Sequence, residues 1–220
     1  MSLWEETVPL MRAGVHRQLR DLAYGGGQGN KVYPPRHLVF NAMRLTPFDE
    51  VKVVILGQDP YINEFHGVPE AHGLCFSVQE GLPIPPSLRN IFQEIQNSIY
   101  GGQPQAVSSD LSRWAVQGVL LLNASLSVLA GRSNSHADLG WQRLTDDIIS
   151  TISGRRQHVV FMLWGAFAAK KEPLIDQEKH LILTTSHPSP LSAHRGFLGS
   201  GVFRQCNDRL QAWGLGPIVW

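Results

Sequence analysis

The sequence predicts an α/β protein, a three-layer α/β/α arrangement with a central, four-stranded, mostly parallel sheet. Three observations carry that expectation. Four short runs are apolar, β-branched and nearly continuous, as parallel strands covered on both faces are. Segments with helical periodicity lie between them, which implies right-handed βαβ crossovers. The chain of 220 residues also has the size of one such domain, so residues 1–220 are expected to form a single unit.

Taken in order, residues 3–23 read as a first helix, followed by a Gly-rich connector, GGGQGN (25–30). VKVVIL (51–56) is the first strand. After the rigid turn PIPPS (83–87), Ser87 is expected to cap a helix over 87–100, with Leu88, Ile91, Phe92 and Ile95 on one face. GGQPQ (101–105) connects it onward to the second strand, VLLLN (119–123). WQRLTDDIISTIS (141–153) places Leu144, Ile148, Ile149 and Ile152 on one helical face. VVFMLW (159–164) and LILTTS (181–186) are the remaining strands, and GVFRQCNDRLQAW (201–213) is the last helix.

Composition excludes more than it assigns. The net charge is only +1, so a phosphate-bearing partner must meet a local patch and not a globally basic surface. Cys75 and Cys206 are the only cysteines, too few for a disulfide framework, and point to a reducing compartment. No apolar run reaches membrane-spanning length, and MSLWEETVPL lacks the order of a secretion signal. These features predict a soluble, cytoplasmic protein (nuclear if the source is eukaryotic) with no membrane partner. No GxxxxGK[ST] or GxGxxG follows the first strand, and no GxSxG or catalytic Cys signature occurs. His66 and His72 stand six apart in a loop without metal-ligand spacing. Neither a cofactor nor a metal is expected.

In open parallel sheets, ligands bind beyond the carboxyl ends of the strands. Here each strand ends in chemically capable residues: GQDPY (57–61), Asn123, WGA (164–166) and SHPSPLS (186–192). Asp59 before a proline is by position more often a turn residue, and His187 in a Pro/Ser loop likewise. Brought to one cleft, the acid and the imidazole suit acid–base or electrostatic work. Asn123 offers a donor and an acceptor side by side, matching a pyrimidine or amide edge. Phe76 is a core residue by default and a stacking platform if it faces a cleft. Rigid Pro/Ser loops with Arg195 can contact successive phosphates without a large net charge. Leu191 has little core to reach from such a loop, so it is either a loop anchor or an exposed wedge that unstacks bases.

These residues resemble family 1 uracil-DNA glycosylases over nearly the whole chain. The resemblance rests on VVILGQDPY (53–61), AHGLCFSV (71–78), PPSLRNI (85–91), GVLLLN (118–123), SHADLGW (135–141), FMLWG (161–165) and HPSPLSAHRGFLG (187–199). It implies a monomeric, cofactor-free enzyme that flips uracil out of DNA and hydrolyses the N-glycosidic bond, with single- or double-stranded uracil-containing DNA as partner. A proteinaceous glycosylase inhibitor is implied as a second partner. By the same resemblance, Asp59 stabilises the sugar cation and handles the water, and His187 stabilises the uracil anion. Gln58 and Phe76 hold the base, Asn123 reads its edge and Tyr61 excludes the thymine methyl. Leu191 fills the vacated stack, while Ser87, Ser189, Ser192, Arg195 and His66 grip the DNA.

Two alternatives are set against this reading. An accessory DNA-binding module with reduced catalysis conflicts with retention of the whole pocket set. An enzyme for mismatched thymine or hypoxanthine conflicts with Tyr61 and Asn123. The chain also departs from the family pattern twice. Ile62–Phe65 intervene between GQDPY and His66-Gly67, which predicts a longer loop pushing His66 outward. Ala166 stands where the family has a serine, removing a hydroxyl for a phosphate. Both predict a weaker grip on duplex with specificity intact.

Overall fold

The four apolar runs pair into one sheet in the computed structural model, which describes residues 1–26, 31–105 and 108–220. The strands are β1 (Val53–Gly57), β2 (Val119–Asn123), β3 (Val160–Trp164) and β4 (Leu181–Thr185), in the order β2-β1-β3-β4. All three pairings are parallel, as the expectation of a mostly parallel four-stranded sheet requires. The register aligns the carboxyl ends on one rim: Gly57 faces Asn123, and Trp164 faces Thr185.

Continuous apolarity predicts strands covered on both faces, and β1, β2 and β3 are buried at every residue. The fourth strand departs from that expectation. Its residues are partly or fully exposed, whereas β2, the other edge strand of the sheet, is fully buried.

The main helices are α1 (Val15–Tyr24), α2 (Pro86–Ser98), α3 (Trp141–Arg155) and α4 (Val202–Ala212). The predicted apolar faces of α2 and α3 are the buried ones. Helix α2 packs against α4, which lies on β3 and β4, whereas α3 packs against α1. Helices thus flank the sheet in an α/β/α arrangement. One core joins Ile55, Leu121 and Phe161 of the sheet to Ile91, Ile148 and Phe203 of the helices. Each such side chain gains roughly 1.5–3 kcal/mol by burial, so this layer fixes the rim against which the site is built. Among the described residues, no helix is long and apolar enough to cross a membrane.

Two helix expectations need correction. The single helix over 3–23 is three: Ser2–Thr7, Pro9–Arg12 and α1. Pro9 holds Val8 extended at the first break, and Gly14 adopts a φ of +79° at the second. Ser87 does not cap α2. Pro85 occupies the cap position and Pro86 the first turn, where its missing N–H is no loss, which leaves Ser87 inside the helix. Of the predicted connectors, 101–105 is exposed, while 27–30 of the Gly-rich one lie outside the described residues.

Two small antiparallel ladders complete the rim. Val32–Tyr33 pairs with Val128–Leu129, and Glu64–Phe65 pairs with Val68–Pro69. The second replaces the longer loop expected from the Ile62–Phe65 insertion. Its two-residue turn has His66 at φ +49° and Gly67 at φ +79°. Positive φ at both central residues is what a tight hairpin turn requires.

Candidate active site

The pairing of Gly57 with Asn123 begins the site. A Cβ on Gly57 would lie 2.3 Å from Asn123 Oδ1 and 2.8 Å from Cys75 Cβ, so only glycine lets the asparagine seat there. Asn123 is buried, yet its amide makes no hydrogen bond with the described residues. It opens onto a cavity of about 280 Å³ at the strand ends, near the small end of the usual range for ligand sites. Gln58, Asp59, Tyr61, Phe76, Ser87 and His187 line the same cavity, from four separate stretches of chain.

Phe76 has a φ of +61°, a conformation a bulky side chain adopts only when its surroundings hold it there. Its ring lies 5.4 Å from that of Trp164 and 5.7 Å from that of His187. The Tyr61 hydroxyl donates to the Phe76 carbonyl at 3.2 Å. Burial raises the Tyr61 pKa, so the phenol stays a donor at neutral pH.

Asp59 is oriented by a loop that sequence reasoning missed. Its Oδ2 accepts from Ser133 Oγ at 2.9 Å and from the Asn134 backbone N–H at 2.6 Å. Its Oδ1 takes no bond from the described residues. His187 is fixed by its own loop: the Ser189 N–H donates to Nδ1 at 3.0 Å. An accepting Nδ1 places the proton of the neutral ring on Nε2. Burial also lowers the His187 pKa, favouring that neutral form. Close approach again demands glycine, because a Cβ on Gly165 would lie 2.9 Å from His187 Cβ.

Around His187 the Pro/Ser loop is tied to itself. Ser192 Oγ donates to the His187 carbonyl at 2.8 Å, and Ser186 Oγ donates to the Ser192 carbonyl at 2.8 Å. With the Ser192 proton engaged, Ser189 is the donor in the 3.0 Å contact between the two hydroxyls. Both serines expected to face an outside partner therefore point inward here. Helix α2 pins the loop from below, and neither residue that does so was foreseen. Asn90 Nδ2 donates to the Pro188 carbonyl at 2.8 Å. One turn on, the fully buried Glu94 accepts from the Gly199 and Gly201 N–H groups at 2.6 and 2.8 Å. The loop displays Leu191, which is 83% exposed, and Arg195 is exposed beside it.

The expected residues do not all meet. His66 stands exposed at the hairpin turn and is absent from the cavity lining, whereas Ile62 and Asn63 of the same insertion do line it. Ala166 is exposed on the short helix Gly165–Ala169. His72 is structural, bonded to Ser77 Oγ at 2.6 Å. Among the described residues, no group of three or more His, Cys, Asp or Glu side chains is placed to hold a metal ion.

Comparison with known proteins points one way. The family described as the uracil DNA glycosylase superfamily matches residues 43–211. The uracil-DNA glycosylase of Azotobacter vinelandii is 57% identical over 192 residues, covering 87% of this chain and 80% of its own. That of Neisseria gonorrhoeae is 55% identical over 192 residues, covering 87% and 85%. Among solved structures, mimivirus uracil-DNA glycosylase superposes with a TM-score of 0.89 at 29% identity, covering all of this chain and 86% of its own. A variant of the mimivirus protein in complex with UGI gives 0.83 at 32% identity, covering 87% and 76%.

Proposed function

The chain belongs to the uracil DNA glycosylase superfamily and excises uracil from DNA in repair, and we propose that it does so in the cavity at the ends of β1 and β2. The observation that carries this reading is the buried amide of Asn123, without a hydrogen-bond partner among the described residues, which shares one small cavity with Asp59 and His187. A base stacked in a duplex cannot reach so enclosed a group, so the nucleotide is flipped into it. The Asn123 carbonyl accepts from uracil N3–H, and its NH₂ donates to O4. Cytosine presents the reverse pattern and leaves the buried amide mispaired, a strong form of rejection. Phe76 stacks on the base, Gln58 contacts it and Tyr61 blocks the methyl group of thymine.

Cleavage breaks the bond from the sugar carbon to the base nitrogen, and the electron pair leaves with uracil. Asp59 lies beside the developing cation, with Oδ2 held by Ser133 and Asn134 and Oδ1 available to take the proton of the attacking water. The neutral His187 donates Nε2–H to uracil O2 as negative charge gathers there. Such preorganised electrostatics is generally a large catalytic term. Leu191 enters the vacated stack. Arg195 and the hydroxyls of Ser87, Ser189 and Ser192 hold the phosphates, the last two after exchanging their internal bonds. His66 belongs to this grip only from the outer edge. The mimivirus complex with UGI supports a proteinaceous inhibitor as a partner here too. Residues 1–220 act as one domain, in the cytoplasm.

Single-turnover release of uracil from an oligonucleotide, in EDTA, tests the assignment. Asp59→Asn and His187→Ala should each lose about 10²–10⁴-fold in rate while still binding DNA. Near-parental cleavage by either variant removes that residue from its role. Because His187 works neutral with a lowered pKa, the parental rate should fall only as pH drops below the ordinary histidine value of about 6.5. The His187→Ala variant should lack that limb.

A further inference from the structure

We propose that the outward face of the hairpin Glu64–Phe65/Val68–Pro69 is a stacking platform for an unpaired base of the DNA strand that enters the cavity, with Phe65 as the contact residue. This rests on the uracil-excision reading and extends it to the neighbouring nucleotide. Side chains alternate across a two-stranded ladder, so Glu64 and Pro69 share one face while Phe65 and Val68 share the other. The inner face is anchored: the Glu64 carboxylate binds both Lys31 Nζ and the hydroxyl of buried Tyr33. The outer face is open, with Phe65 43% and Val68 40% exposed. The His66 ring meets the Phe65 ring edge-on at a centroid distance of 4.2 Å.

An isolated hairpin of this length does not hold its shape in water, so its anchors matter. Gly131 N–H donates to the Ile62 carbonyl at 2.8 Å and Gln79 Nε2 to the Pro69 carbonyl at 3.0 Å, while Glu70 N–H extends the hairpin's own ladder onto the Asn63 carbonyl at 3.1 Å. Phe65 is therefore an exposed aromatic on a fixed support. Continuity with the cavity identifies what covers it. Ile62 and Asn63, at the foot of the hairpin, line the cavity together with Asp59, so the chain flanking a flipped nucleotide leaves over this rim. The face suits a base and not a phosphate, since Phe65 and Val68 present apolar surface and Lys31 is already engaged by Glu64. Base–aromatic stacking is tolerant of sequence, as a site flanking an arbitrary uracil must be.

The test compares the parent chain with Phe65→Ala and Phe65→Trp on single-stranded and duplex oligonucleotides containing uracil. Phe65→Ala should raise KM on single strands about tenfold, with a smaller effect on duplex, where neighbouring bases stay paired. Phe65→Trp should restore the parental value. With 2-aminopurine placed on either side of a cleavage-resistant 2′-fluorodeoxyuridine, the parent and Phe65→Trp should quench its fluorescence on one side, and Phe65→Ala should not. Equal KM and equal quenching in parent and Phe65→Ala overturn the platform, as does failure of Phe65→Trp to restore KM. Parental protein that releases no uracil overturns the excision reading instead, so the two failures are separable.

Discussion

Two elements frame the mouth of the cavity, and each lifts an apolar side chain into solvent: Leu191 on the Pro/Ser loop and Phe65 on the inserted hairpin. They are held by different physics. The first loop is fastened from inside the protein, by buried Glu94 on two backbone amides and by Asn90 on a carbonyl. The hairpin is fastened by Gly131 N–H on the Ile62 carbonyl, by Gln79 Nε2 on the Pro69 carbonyl, and by the exposed pairing of Glu64 with Lys31 beside Tyr33. Buried charge-assisted bonds are strong and costly to break, whereas exposed ion pairs contribute little and are screened by salt. Leu191 thus sits on a mount of buried bonds, and Phe65 on a mount whose side-chain tie is exposed.

The comparison fails if the two mounts respond alike. The largest effect is expected for Glu94→Ala, which strands two backbone N–H groups and should destabilise the fold by about 3 kcal/mol in urea. It should also raise KM on duplex DNA by displacing Leu191. An unchanged midpoint would remove Glu94 from this part. Asn90→Ala loses one neutral bond, so the same urea titration should register only about 1 kcal/mol, again with a higher duplex KM and a preserved kcat. The smallest effect belongs to Lys31→Met. Its melting temperature should match the parent, and KM on single strands should rise less than about twofold at low salt, the parent converging on the variant as salt increases. A large loss of stability in Lys31→Met would show that the hairpin is integral to the fold and not an attachment.

What the sequence makes legible follows from the range of the interactions. Continuous apolar runs determine the strands, and the parallel-sheet rule places GQDPY, Asn123 and HPSPLS at one rim, where the structure has them. Asp59's supports were invisible because Ser133 and Asn134 lie 74 and 75 residues away, in a stretch with no pattern of its own. Glu94 reads as a solvent-facing charge on an amphipathic helix, and only the tertiary fold reveals the two amides it serves. The role of Gly57 depends on its register with Asn123 across two strands, which no local window contains. The N-terminal helix is a different case: Pro9 and Gly14 are breaks legible in the sequence itself. The inserted residues carried a usable signal as well, since His66-Gly67 flanked by Phe65 and Val68 is compatible with a tight hairpin turn.

The bond from Tyr61 to the Phe76 carbonyl has a consequence for how this pocket can change. Tyr61, proposed to block a methyl group, and the backbone of Phe76, the proposed stacking ring, form one mechanical part. A substitution made to widen the entrance therefore also slackens the floor, and a larger base admitted that way meets a surface no longer aligned to receive it. Breadth of substrate and accuracy of placement are coupled here through a single hydroxyl, so a variant with relaxed selectivity should also be a slow one.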